Sequence, residues 1–291
     1  NSKALEIAGI TADTPDPPGG VIFRDEQGNP TGYLLEAALS LVSDRALQDY
    51  DDELLTSALD AQLKDFADSG VTSITEIMAV PGFNLSRPWV YTDRELPVRV
   101  VVYLPIFELA DVVAADELRG TFEADNVRFG GGKVWVDGSM GTASAWVGES
   151  YEDDPDDYGS YYFDVPALTD IVREAEVRSI HLKLHANGDA AVSAVLDAME
   201  AVKAERGSLQ RHTLEHAVLL APGDLERIVA LDLPVSVQPS HYLAASLGKT
   251  ADRLGDRFAE CYDHRGLVDA GVTMALGTDW PVWPEPSPLL T

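Results

Sequence analysis

From residue 51 onward the apolar positions switch repeatedly between two periods. DDELLTSALDAQLKDFADSG opens on acidic residues, sets Leu55, Ala58, Leu59, Gln62, Leu63 and Phe66 along one helical stripe, and stops at Gly70. GVTSITEI then reads as a strand, followed by VRVVVYL, GKVWVDG, IHLKLHA, HTLEHA, PVSVQPSH and VTMALGTD. Helical spacing returns between them, with Asp164 and Pro166 opening a helix that carries Leu168, Ile171, Val172 and Ala175. Asp189 is expected to cap the next, with Val192, Val195, Leu196, Met199 and Val202 on its buried stripe ahead of Gly207. Short strands, mostly apolar enough to be covered by helices, that alternate with helices demand parallel pairing and right-handed crossovers. Seven such units fall one short of a closed (β/α)8 ring. The expected fold for residues 51–291 is therefore an incomplete TIM-type barrel without its first strand and closing helix. Residues 1–50 differ: VIFRDEQGNPTGYLLE reads as a β-hairpin around a QGNP turn, an insertion and not a barrel unit.

Composition fits that size, since a 291-residue chain with 45% hydrophobic residues builds a sizeable core. No apolar run approaches the roughly 18 residues that cross a bilayer, and the protein is expected to be cytoplasmic. A single cysteine, Cys261, excludes a disulfide framework and reads as a plain helix residue. Charge changes the picture more. Forty-nine acidic residues against 21 basic ones give a net charge of −28 and a pI near 4.3, spread along the whole chain. Such a surface resembles that of proteins from salt-loving archaea. It excludes nucleic acid and anionic membranes as partners. The remaining partners are a small-molecule substrate and, as a homo-oligomer, further copies of the chain.

The candidate chemistry sits at the strand ends. His185, His216 and Asp279 each terminate a strand-like run, and Lys133 lies on an earlier one. Histidine and carboxylate are the donors a divalent cation asks for, and residues at carboxyl ends of parallel strands converge on one mouth. On KVWVDG, alternation places Lys133, Trp135 and Asp137 on one face. Lys133 is either a buried amine able to take up carbon dioxide or the partner of an acid such as Asp137. On IHLKLHA, His181, Lys183 and His185 share a face; His181 reads as a core histidine and Lys183 as a rival for the carbamate. His212 and His216 are expected to share a face of HTLEHA, with Glu215 either orienting a ring nitrogen or lying on the rim. Gln238, His241, Trp280 and Trp283 either contact substrate or pack the loops around three prolines. GGGK lacks the spacing of a phosphate loop, GSMG lacks a serine-hydrolase elbow, and no Gly-x-Gly-x-x-Gly follows a strand.

Taken in order, NSKALEIAGI, PDPPGG, GYLLE, GVTSITE, KVWVDGSMG, HANGDAAV, RHTLEHA, SVQPSH and GTDWPV resemble the amidohydrolase superfamily. The resemblance is to its branch of large metal-dependent enzymes that includes N-substituted formamide deformylases. It implies a barrel holding one or two divalent cations, usually zinc. The ligands it implies here are Lys133 (as a carbamate), His185, His216 and Asp279. The His-x-His that the family carries on its first strand is absent from these 291 residues. The implied activity is hydrolysis of an amide, formamide or cyclic amide C–N bond, with Asp279 as the proton-transferring base. The 291 residues on their own are expected to be catalytically silent. The alternative is a non-catalytic regulatory or binding protein on the same scaffold.

Overall fold

The computed structural model describes residues 1–17, 20–47, 51–77 and 89–282. Helix α1 (Ser2–Ala8) is capped by Asn1, whose side chain accepts from the Ala4 N–H. Strands β1 (Gly20–Arg24) and β2 (Pro30–Glu36) pair antiparallel, joined by a turn in which the Asp25 carboxylate accepts the Gln27 and Asn29 N–H groups. Helix α2 (Ser40–Leu47) follows, and Leu5, Ile10, Ile22 and Ala38 form a small cluster of their own. The expected hairpin is present, accompanied by two helices that a turn-based reading of this segment does not reveal.

Helix α3 (Asp52–Asp68) begins where its cap signal placed it, with Asp51 accepting from the Leu54 N–H at 2.7 Å. Seven strands then form one parallel sheet in sequence order: β3 (Ser73–Ile77), β4 (Arg99–Ile106), β5 (Val127–Trp135), β6 (Leu182–Ala186), β7 (Thr213–His216), β8 (Val235–Val237) and β9 (Met274–Leu276). Between them run α4 (Trp89–Thr92), α5 (Leu109–Leu118), α6 (Val165–Arg178), α7 (Asp189–Arg206), α8 (Asp224–Leu231), α9 (Pro239–Leu247), α10 (Thr250–Leu254) and α11 (His264–Asp269). Every apolar run assigned to a strand is one. Among the described residues β3 and β9 do not pair with each other, so the barrel is incomplete. It nevertheless curls: Phe66 of α3 meets Trp280, beyond β9, edge-on with ring centroids 5.6 Å apart.

The two faces of the sheet have different jobs. Val102, Leu104 and Ile106 of β4, Val134 of β5, Leu182, Leu184 and Ala186 of β6 and Leu214 of β7 are almost wholly buried. They share one core with Ile171 and Val172 of α6 and with Val195, Leu196 and Met199 of α7. The alternate residues point inward: Tyr103, Lys133, His181, Lys183, Thr213 and Glu215 meet inside the sheet. The glycine run before Lys133 makes that interior possible. Gly131 has a φ of 147°, and a Cβ there would lie 1.9 Å from the His181 carbonyl oxygen. Close approach of β6 to β5 thus requires glycine.

Candidate metal centre

Lys133 and Lys183 are register partners on β5 and β6, as are Trp135 and His185. Their environments differ. Lys183 is ion-paired to Glu215 at 2.5 Å, with both side chains largely buried, which removes it as a rival for the carbamate and places Glu215 inside the barrel. Glu215 is therefore neither a rim carboxylate nor the partner of a ring nitrogen. Lys133 is 3% exposed, and among the described residues no carboxylate lies within ion-pair distance of it. Its ammonium sits 5.5 Å from the Trp135 ring centroid. Burial pulls its pKa down to about 8, against the opposing pull of Glu215 and Asp279. The alternative salt bridge to Asp137 does not form. Asp137, wholly buried, instead accepts the backbone N–H groups of Trp146, Asn187 and Gly188 at 2.8–3.0 Å.

That carboxylate clamps the long excursion after β5 onto the end of β6, where His185 stands. His185 Nε2 lies 3.1 Å from the Gly138 carbonyl oxygen and 3.0 Å from the buried Asn187 side-chain nitrogen, which donates to the same carbonyl at 2.7 Å. Asp189 does not cap α7, contrary to expectation. The N-cap is Gly188, and Asp189 accepts from the Gly148 N–H at 2.9 Å, tying the same excursion down. Asp137 stood out in the sequence only as an ion-pair partner for Lys133 and Asn187 not at all; the signal for this role is a polar residue just past a strand end in VDG and HAN.

His212 and His216 do not share a face. His212 Nδ1 accepts from the Leu182 N–H at 2.9 Å, and its Nε2 lies 3.0 Å from Glu176 of α6, on the helix side of the sheet. Strict alternation would send His216 the same way. A φ of 74° at His216 and of 49° at Ala217 breaks the alternation and swings the ring over the mouth. There it packs against His185 with ring centroids 4.5 Å apart. Gln238 accepts from His216 Nδ1–H at 2.5 Å, while its own amide nitrogen faces Ser236, leaving the lone pair of His216 on Nε2. Gln238 is thereby committed to a histidine.

Asp279 enters from beyond β9 with a φ of 51°. Its carboxylate stands 3.6 Å from His241 Nε2, and one donor atom from each of His216, His241 and Asp279 lies within 4.8 Å of the other two. His185 is close enough that His216, Lys133 and Asp279 all act on it electrostatically. Burial holds the pKa values of His185 and His216 well below the ordinary range and lowers that of His241. All three rings are therefore neutral donors at neutral pH, and with a carboxylate beside them they suit a divalent cation. Of the sequence-selected residues, Lys133, His185, His216, Gln238, His241 and Asp279 converge. Trp280 is 37% exposed and packs on Phe66, and Trp283 lies outside the described residues. His181 is a core histidine, bonded to Tyr103 at 3.1 Å and Thr213 at 3.2 Å. Cys261 is not within a helix but follows a short helical turn. It is buried, its S–H donates to the Arg257 carbonyl, and burial pushes its pKa up to about 12.

Comparison with known proteins bears on this arrangement. The sequence profile described as the amidohydrolase family matches residues 1–285. The protein LONG AFTER FAR-RED 3 of Arabidopsis thaliana is 34% identical over 295 residues, covering 97% of this chain and 50% of that protein. An N-substituted formamide deformylase of Arthrobacter pascens is 27% identical over 296 residues, covering 97% and 53%. The crystal structure of an uncharacterised metal-dependent hydrolase from Pyrococcus horikoshii superposes with a TM-score of 0.75 at 24% identity, covering 100% of this chain and 56% of that one. The chain spans about half the length of the curated relatives it matches. Among the described residues no helix is long and apolar enough to cross a membrane.

Proposed function

The chain belongs to the amidohydrolase family, and from that premise we propose that it carries most of the active site of a hydrolase cleaving the C–N bond of a small amide, formamide or cyclic amide. The observation that carries this reading is the grouping of His216, His241 and Asp279, with donor atoms within 4.8 Å of one another, beside a His185 on which His216, Lys133 and Asp279 all act electrostatically. Lys133, His185, His216 and Asp279 would hold the cation, and nitrogen-rich donors favour zinc. Bound there, a divalent cation supplies a Lewis acid that polarises a carbonyl and makes water acidic near neutral pH. Asp279 takes the proton of the attacking water as the C–O bond forms. It returns that proton to the nitrogen as the C–N bond breaks, so the carboxylate is regenerated. Burial favours the neutral amine of Lys133, the form that combines with carbon dioxide to give a carbamate. Gln238 serves by orienting His216, and Trp280 remains the aromatic wall for substrate. The surface charge supports a protein adapted to high salt.

Elemental analysis of the full-length protein, joined to a screen of amides, formamides and cyclic imides, tests this reading. A bound divalent ion with turnover of at least one of these classes is expected. A metal-loaded protein that hydrolyses none of them would favour the scaffold's regulatory use.

A further inference from the structure

We propose that His241 is a direct ligand of the cation and not a substrate contact, so that the last three strands supply a three-donor site: His216 Nε2, His241 Nε2 and the Asp279 carboxylate. The proposal rests on the metal-dependent reading above, and its support is geometric. His241 Nε2 is buried and makes no hydrogen bond among the described residues. An orphaned buried nitrogen costs about 1–3 kcal/mol unless something takes its lone pair. Asp279 Oδ2 stands 3.6 Å from it, too far for a hydrogen bond. It is, however, close to the roughly 3.4 Å that separates two donors on a tetrahedral cation with bonds near 2.1 Å.

The histidine rings agree with this spacing. His216 and His241 lie nearly parallel, 17° apart, with centroids separated by 6.0 Å. Two imidazoles sharing one cation through bonds near 2.1 Å have centroids roughly 5–6 Å apart. The backbone also holds the pair in place. The His241 N–H donates to the Gln238 carbonyl at 3.0 Å, closing a tight turn at the start of α9. The same Gln238 fixes the His216 tautomer through its side chain. One Gln-x-x-His step therefore orients one donor and delivers another. The three donors come from the end of β7, the first turn of α9 and the segment after β9, and do not depend on a His-x-His motif.

Cobalt(II) titration followed by visible absorption, with zinc affinity measured by competition against a chromophoric chelator, tests the assignment. In the purified protein one ion should bind with an absorption spectrum that changes on removal of one nitrogen donor. His241→Ala and the better space-filling His241→Asn, checked for folding by circular dichroism, should each weaken zinc by more than about 100-fold. That exceeds the 10–100-fold typical of losing a group that only orients a ligand. His241→Cys, which restores a donor, should recover much of the affinity. If folded His241→Ala and His241→Asn bind zinc and cobalt as the parent does, His241 is not a ligand and the metal reading survives without it. If the parent binds neither ion, both fail together.

Discussion

His216, Ala217 and Asp279 hold backbone conformations that side chains with a Cβ adopt reluctantly, with φ values of 74°, 49° and 51°. Each such residue costs on the order of 1–3 kcal/mol, and they sit together at one mouth. Asparagine tolerates this region best after glycine, so Asp279→Asn removes the charge without adding strain. In the full-length protein that variant should melt within a few degrees of the parent yet lose turnover by about 10²–10⁴-fold, the span expected for a missing proton-transfer group. Parent-like turnover would show that another group moves the proton. Inside the barrel His181 gives a prediction of a different kind. Burial lowers its pKa from 6.5 to about 4. Below pH 6.5 the unfolded chain takes up a proton that the folded one refuses until pH 4. His181's contribution to stability is therefore complete above pH 6.5 and falls away as the pH drops to 4, by roughly 3 kcal/mol at most. Urea melts of His181→Gln should accordingly show a shallower decline between pH 6.5 and 5 than the parent; parallel curves would mean His181 already carries a proton. At this scale the sequence was informative for residues at strand ends, because a parallel barrel gathers those ends at one place. It misled for His212, where alternation was right for the strand and the left-handed turn at His216 was invisible. It also misled for Asp137, which accepts backbone N–H groups from distant loops.

The strands were legible for a physical reason: both faces are covered, one by helices and the other by the barrel interior, so each strand shows as a compact apolar run. The errors lie at run ends. PVSVQPSH looked like a strand to His241, but Pro239 has no N–H for a ladder and instead opens α9, leaving β8 only Val235–Val237. β5 starts at Val127, six residues before Lys133, because glycines of low strand propensity hide its first half. The junction of β6 and α7 joins fold to site, and Gly188 is its tightest point. A Cβ there would stand 1.8 Å from the Trp146 carbonyl oxygen, which nothing nearby can relieve without moving the excursion that Asp137 holds. Gly188→Ala should cost roughly 2–4 kcal/mol by breaking that network. It should also weaken metal binding, since His185 hangs from the same Gly138 carbonyl. Leu196→Ala, wholly buried against the far face of the sheet, should cost a comparable 2–5 kcal/mol yet leave metal affinity unchanged. Urea melts and zinc competition on the two variants decide the matter; equal losses of zinc affinity would show that the excursion has no special hold on the site.

At the scale of the whole molecule, charge outweighs any single contact. Arginine is shared out among acids: Arg227 faces Asp197, Glu200 and Asp224, and Arg178 faces Glu174 and Asp116. Arg173 reaches both Asp170 and Glu205. These clusters tie α6, α7 and α8 together, yet with 21 cations for 49 acids most of the negative surface has no counter-charge within the protein. Its self-repulsion must be met by solvent ions. A Debye length of about 10 Å at 0.1 M spans several surface residues, whereas about 3 Å at 1 M confines each charge to its immediate neighbours. The surface ion pairs weaken over the same range, but each is worth at most about 1 kcal/mol, and the repulsion they leave behind is summed over a net charge of −28. Screening should therefore stabilise the fold on balance. Thermal melts from about 0.1 M to about 3 M KCl should rise steadily, with most of the gain below about 1 M, where the Debye length shrinks fastest. Sodium sulfate at matched ionic strength separates screening from a general salting-out of apolar surface, since sulfate strengthens burial in any protein. If KCl leaves the melting temperature flat while sulfate raises it, charge repulsion does not limit this fold and the high-salt adaptation falls.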